Sequence, residues 1–254
     1  MKVIDCFIFY NELTILDFRL KELNDVVDYF VLVESTVTHR GNPKPLIYND
    51  NKERYSEYTD KIIHVIVDDM PTGNDNWKRE NFQRECVRRG ISRLNLEDTD
   101  IITVCDCDEI PDADTLKTLK ETGINKPLSL VQDLYYYSPI HQLDYILWNK
   151  AKVLDLKSFN QIKDLSNQLR LGEYPNIKKG GWHFSYFGDM TFIKNKLREF
   201  AHSEHSGISE ETIQRGLRGE ADLFPGQRTR GKYIPIEKNP YLPKNIGLLL
   251  KFCK

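Results

Sequence analysis

Two aspartates one residue apart, Asp106 and Asp108, close the apolar run Ile101-Ile102-Thr103-Val104-Cys105 and are followed by Glu109, Ile110 and Pro111. In an extended chain successive side chains alternate faces, so the two carboxylates share one side while Cys105 and Cys107 take the other. Anions that close repel unless a cation or a proton lies between them, and a divalent ion carrying a phosphorylated ligand is a common solution. Hard carboxylate oxygens suit Mn²⁺ or Mg²⁺. The competing reading is a strand that runs into a solvated acidic turn. That reading is taken for Asp112 and Asp114, which precede the helical stretch Thr115–Lys120 and read as its caps. The two thiols lack a second Cys pair or a His pair to complete a tetrahedral set, so they read as small buried hydrophobes.

Other apolar runs must place these acids. Residues 3–10, 29–33 and 62–67 read as strands that end in Asn11 and Glu12, in Glu34 and in Asp68, and Leu13, Leu16, Leu20 and Leu23 share one face of a helix after the first. In open α/β sheets the ligand crevice lies outside the carboxyl ends of the strands, so Asn11, Glu12, Glu34, Asp68, Asp106 and Asp108 are expected around one crevice. Trp77–Arg89 reads as a charged helix with Trp77, Phe82 and Cys86 turned inward. Its arginines are mostly a solvated face, but one of them, Arg84 or Arg79, can reach an anion near Asp106, since Arg matches phosphate geometry bidentately. Leu128–Ser138 is an aromatic-rich strand whose Tyr135 and Tyr136 are either core or faces for a sugar ring. Further on, short strands are expected near 145–147 and 151–154 and a loop over 172–181. The flexible pair Gly180-Gly181 then leads into Trp182 and His183, and a helix over 191–200 precedes an irregular, Pro-rich tail from about 222. His183 is either a hydrogen-bonded core residue or the nitrogen ligand that closes a metal site. With no repeat and no linker, residues 1–254 are read as a single domain.

Composition removes several classes. The 36 Lys and Arg balance 38 Asp and Glu, which leaves no polyanion-binding signature and argues against nucleic acid as a partner. Five cysteines, two of them inside a strand, argue for a reducing compartment, hence a cytoplasmic protein. No run approaches the ~20 apolar residues of a membrane-spanning helix. Residues 3–10 contain an acid and read as a first strand rather than a signal peptide. The C-terminal Leu and Lys residues, 247–254, are compatible with a peripheral membrane contact, although a short terminal helix is the simpler reading. Oligomeric state is not legible.

Several stretches together resemble glycosyltransferase family 17, whose animal members add the bisecting N-acetylglucosamine to N-glycans. They are Val27–Ser35 with Thr38, Gly41 and Lys44-Pro45-Leu46, then Asp106-Cys107-Asp108-Glu109-Ile110-Pro111, then Gly181-Trp182-His183-Phe184-Ser185. Phe9–Glu12, Leu16–Leu20, Trp77, Glu80, Gln83 and Arg84 resemble bacterial relatives, and the likeness extends over roughly residues 5–245. The resemblance implies a GT-A (Rossmann-like) α/β fold, with a mostly parallel central sheet flanked by helices. It also implies a UDP-sugar donor, a divalent metal, a glycan acceptor and inversion at the anomeric carbon. Asp106, Cys107 and Asp108 would then hold the donor diphosphate through Mn²⁺ or Mg²⁺, with His183 as a further ligand and Arg84 or Arg79 offsetting the remaining charge. Asn11, Glu12 and Glu34 would contact uracil or ribose, and Tyr135, Tyr136 and Trp182 the sugar rings. Inversion needs a base that is not holding metal; Glu204 is the first choice, Asp189 and Glu109 the next. The chain is shorter than the Golgi members and lacks their N-terminal anchor, which points to a microbial or viral surface glycan. Two rivals stand beside this reading. A phosphohydrolase of the haloacid-dehalogenase type would use Asp106 as nucleophile, but Ile110 stands where such enzymes carry Thr or Val. A catalytically inactive carbohydrate-binding relative would keep the fold alone.

Overall fold

The computed structural model describes residues 1–143, 146–201, 207–218 and 231–253. The first apolar runs become β1 (Val3–Phe9), β2 (Tyr29–Ser35), β3 (Ile62–Val67) and β4 (Ile101–Asp106), all parallel in the order β3-β2-β1-β4. They are apolar on both faces because both faces are covered. Phe7, Phe30, Leu32 and Cys105 pack on one side with α1 (Leu13–Leu23) and the short α2 (Ile47–Asp50). Cys6, Val31, Val65 and Val104 pack on the other with α3 (Asn76–Glu85) and α4 (Val87–Ile91). The single helix expected over Trp77–Arg89 is therefore two, divided at Cys86. Gly90 of α4 lies so near Val31 that a Cβ would come within 2.3 Å of its methyl carbon.

The second half reverses direction. β5 (Glu109–Pro111) leads into α5 (Ala113–Thr122), which Asp112 caps by accepting from Thr115 N–H at 2.7 Å. β6 (Leu128–Tyr136), β7 (His141–Gln142) and β8 (Lys152–Asp155) extend the sheet antiparallel, with β8 on β4 and β6 on β8. After α6 (Leu156–Gln161) and a π-helical turn (Leu165–Arg170), β9 (Asn176–Ser185) runs parallel to β6 and antiparallel to β5. α7 (Met190–Glu199), α8 (Glu210–Leu217) and β10 (Lys232–Tyr233) complete a mixed α/β architecture with one large central sheet between helices. The mostly parallel character expected of the sheet is carried by its first four strands and by the pair β6 and β9, while β5, β7, β8 and β10 pair antiparallel.

Two local expectations change. Of the strand expected at 145–147, residue 145 lies outside the described residues and 146–147 are not a strand; the nearest pairing is an isolated bridge of Trp148 to Gln132. Gly180 and Gly181 are not a flexible loop but lie inside β9, where β5 and β6 approach closely. Gly181 has φ +134°, and a Cβ would sit 2.0 Å from the Ile110 carbonyl. The described part of the tail wraps back on the molecule: Tyr241 stacks on Trp182 at 4.7 Å, and Leu249 is fully buried.

Candidate active site

The ends of β1, β2 and β4, the inner face of α3, the π turn, β9 and α7 converge on a cavity of about 670 Å³, within the usual range for small-molecule sites. Asp106 and Asp108 both line it. They reach the same side by a turn, since β4 ends at Asp106, rather than by alternation along one strand.

Each acid is met by cations from elements distant in sequence. Asp106 accepts from Arg84 of α3 at 2.6 Å and from Arg170 of the π turn at 2.8 Å. Burial works to raise its carboxyl, but Arg170 and Arg84 outweigh that and hold it down at about 2. Asp108 accepts from Lys196 of α7 at 2.7 Å and lies 3.4 Å from His183 Nε2. Burial again opposes ionisation there, and Lys196 and His183 overcome it, so this carboxyl titrates well below the ordinary range. Lys196 also sits 3.6 Å from Glu12. Folded-state values below the unfolded value of about 3.9 mean that both ionised acids stabilise the fold above that pH. Their contribution is lost as pH falls toward the folded values. Urea midpoints are accordingly expected to be flat from pH 7 to about 5 and to drop steeply below about 4; a midpoint unchanged down to pH 3 would contradict these pairings.

Behind the acids lies a second, fully buried layer. Arg19 of α1 forms a two-point pair with Asp5 of β1, at 2.7 and 2.6 Å. Its other nitrogen donates to the carbonyls of Asp106, Cys107 and Glu109 at 3.1, 3.0 and 2.9 Å. One guanidinium thus satisfies three backbone acceptors of the turn that carries both aspartates. Glu109, fully buried, accepts from Arg170 at 2.7 and 2.9 Å, from Trp148 Nε1 at 2.7 Å and from the Asp106 N–H at 2.8 Å. It is a structural clamp with both oxygens engaged, not a free base.

The remaining expected residues divide. Glu12 lines the cavity but spends one oxygen on the N–H groups of Tyr10 and Asn11. Asn11 is turned to Asn195, at 3.4 Å, and lies outside the cavity lining. Glu34 is fully buried against the Tyr48 N–H, His64 and Lys44, so it holds α2 rather than a ligand. Arg79 braces the loop before α3 through the His39 and Gly73 carbonyls and does not line the cavity. Cys107 does, but burial pushes its thiol well above the ordinary value, so no thiolate is available. Tyr135 is core, accepting from Asn239 at 2.8 Å, and Trp182 is core beneath Tyr241; only Tyr136 of the three expected aromatics lines the cavity. Asp189 caps α7 through the Phe192 N–H at 2.8 Å and stands off the lining. Glu204 lies outside the described residues. Sequence reasoning missed Lys196, Arg170 and Trp148, whose indole packs on the His183 ring at 4.3 Å. It also misjudged Trp77, which is 44% exposed at the cavity rim rather than turned inward. None of these carries a local signal, because each is brought in by a helix or turn far along the chain.

The model of glycosyltransferase family 17 matches residues 1–225. The chain belongs to glycosyltransferase family 17. Among curated proteins it is 35% identical over 125 residues to the beta-1,4-mannosyl-glycoprotein 4-beta-N-acetylglucosaminyltransferases of Rattus norvegicus and Homo sapiens. Those matches take in 47% of this chain and 23% and 24% of the relatives, so the chain spans about a quarter of their length. A solved structure of HddC from Yersinia pseudotuberculosis complexed with GMP-PN overlaps 70% of this chain and 89% of its own at a TM-score of 0.42 and 8% identity, too loose to place the fold. Family 17 membership removes the dehalogenase-type alternative, and the geometry agrees: both Asp106 oxygens are held by guanidinium groups, which leaves no free nucleophile.

Among the described residues no group of three His, Cys, Asp or Glu side chains forms a ready metal cage. The three-ligand set expected from Asp106, Asp108 and His183 is therefore not assembled, because Asp106 is turned to its two arginines. Asp108 and His183 do fit as a pair. Their facing oxygen and nitrogen, 3.4 Å apart, are near the separation of adjacent ligands on an ion with bonds of about 2.1 Å. Ions that act on phosphates usually take only one or two protein ligands.

Proposed function

We propose that this chain moves a sugar, N-acetylglucosamine by default, from a UDP-sugar to a glycan hydroxyl, with inversion and with a divalent metal at the donor diphosphate, on a GT-A arrangement. The observation that carries this reading is the charge inventory of the cavity. Glu12, Glu80, Asp106, Asp108 and Glu199 stand against Lys44, Arg84, Lys150, Arg170 and Lys196, so the lining is close to neutral. A nucleoside diphosphate adds about two to three negative charges to this near-neutral lining, and a co-bound divalent ion restores the balance.

Asp108 and His183 would hold that ion, which when bound would supply charge stabilisation for the departing nucleotide. The chain's own groups set the stage. Trp148 packs against the His183 ring at 4.3 Å, Lys196 keeps Asp108 ionised, and Arg84 and Arg170 keep Asp106 ionised in the cavity lining. The glycan hydroxyl must lose its proton to a carboxylate on the face opposite the leaving group. Glu204 is proposed for that role; in sequence it stands five positions beyond Glu199, which lines the cavity. The acceptor is proposed to be a microbial or viral surface glycan, and the compartment the cytoplasm.

Thermal melting with UDP, Mn²⁺, both and neither tests the reading. Both together are expected to raise Tm by several degrees and UDP alone by much less, with the synergy absent in Asp108→Ala. If no uridine or guanosine nucleotide shifted Tm under any metal, the transferase reading would fall.

A further inference from the structure

Among the described residues, five Lys and Arg side chains line the cavity, and four of them face carboxylates. Lys44 lies 3.5 Å from Glu34 and Lys196 2.7 Å from Asp108, while Arg84 and Arg170 meet Asp106 at 2.6 and 2.8 Å. Lys150 is the exception. It is half-buried on the cavity wall, and among the described residues its ammonium has neither a carboxylate within ion-pair distance nor a hydrogen-bond partner. A lysine drawn partly out of water is ordinarily paired, so this one is placed to meet an anion that enters.

The sheet fixes where that anion would lie. β8 pairs antiparallel with β4 from Ile101 opposite Asp155 to Val104 opposite Lys152. Carried two residues further, the same register sets Lys150 level with Asp106, the last residue of β4. Residues opposite one another in such a pair share a face, and both of these side chains do line the cavity. The backbone beside Lys150 is held to β6, since the Gln132 and Leu130 N–H groups donate to the Trp148 and Ala151 carbonyls at 2.8 and 3.0 Å. Trp148, on the same stretch, donates to Glu109 and packs on the His183 ring. Lys150 therefore belongs to the wall beside the turn that carries both aspartates. That wall has positive charge in excess: buried Lys152 is pressed down to about 8 by burial first, then by Lys150 and Arg170.

An ammonium offers three donors and no acceptor, so it selects an anionic acceptor. In a sugar nucleotide that is the diphosphate, since uracil, ribose and pyranose carry no charge. We propose that Lys150 is a donor-phosphate contact, whose ammonium meets the diphosphate of the sugar nucleotide and stabilises the nucleotide as leaving group. The proposal rests on the sugar-nucleotide reading above.

Titration calorimetry of the full chain with UDP and with GDP in Mn²⁺, together with urea unfolding, tests it. Lys150→Gln should weaken UDP binding about 10-fold or more, the range for a hydrogen bond to a charged group. Its urea midpoint should stay at the parental value, because the change leaves no carboxylate unpaired. Lys150→Arg, which keeps a charge that phosphate accepts, should bind UDP within about threefold of the parent. UDP affinity within about twofold of the parent in Lys150→Gln would overturn the proposal. So would a loss shared equally by Lys150→Arg or accompanied by a fallen urea midpoint, since either would make Lys150 a structural residue. An unaltered chain that binds neither UDP nor GDP removes the sugar-nucleotide reading and this inference with it, whereas UDP binding that survives in Lys150→Gln removes this inference alone.

Discussion

Asp108→Asn is expected to reduce sugar transfer by at least about 10³-fold, the range found when a group stabilising transition-state charge is lost. The substitution keeps the side chain's size but removes the negative charge that Lys196 meets at 2.7 Å and that faces His183 at 3.4 Å. It also leaves Lys196, itself only 7% exposed, with Glu12 at 3.6 Å as its remaining carboxylate, so the fold should weaken as well. Breaking one side of a buried pair costs about 3–5 kcal/mol. The two effects come apart in the double variant Asp108→Asn with Lys196→Met. Stability by urea unfolding should recover in part, because the unpaired ammonium is gone, while transfer stays abolished. Turnover of Asp108→Asn within tenfold of the parent would remove Asp108 from the chemistry, and recovery of transfer in the double variant would show that the first loss was one of folding.

The second large effect is expected in the buried layer directly behind the acids. Arg19→Met should cost about 3–5 kcal/mol or more by urea unfolding, since it leaves Asp5 as a buried, uncompensated carboxylate. It also strips three carbonyls of their donor, those of Asp106, Cys107 and Glu109. Converting Asp5 as well, to Asn or Leu, removes the orphaned charge but not the orphaned carbonyls. The double variant should therefore regain part of the stability and still hold UDP with Mn²⁺ more weakly than the parent, because the turn carrying both aspartates is no longer fixed. If Arg19→Met unfolded at the parental urea concentration, the buried pair would contribute nothing. If the double variant bound nucleotide normally, the turn would be rigid without it.

Much of the first half of the fold was legible because its strands are buried on both faces and read as continuous apolar runs. β1 and β3 fall where the runs at 3–10 and 62–67 place them, and α1 coincides with the Leu13-Leu16-Leu20-Leu23 stripe. The antiparallel half was harder to read. β7 and β10 are two residues long, too short for any period to register, and Gly180-Gly181 carries a loop signal although it lies in a strand where two neighbours leave no room for a Cβ.

The acid pair shows the same division. Sequence alone determined that a buried strand runs into Asp106 with Asp108 close behind it, that Cys105 and Cys107 belong to the core, and, through the ordered motifs, the family; that the two acids share a side was expected by alternation but is achieved by a turn after β4. Only the tertiary structure decided what each charge meets. Arg84, Arg170, Lys196 and Arg19 lie 22, 64, 88 and 87 positions from the acids or carbonyls they bind. Propensity and periodicity act over a turn of helix or a few residues of strand. They cannot say which distant cation fills the space beside a buried carboxylate, nor that Glu34, Glu109 and Arg79, attractive by position, are held by backbone and side chains of the scaffold itself.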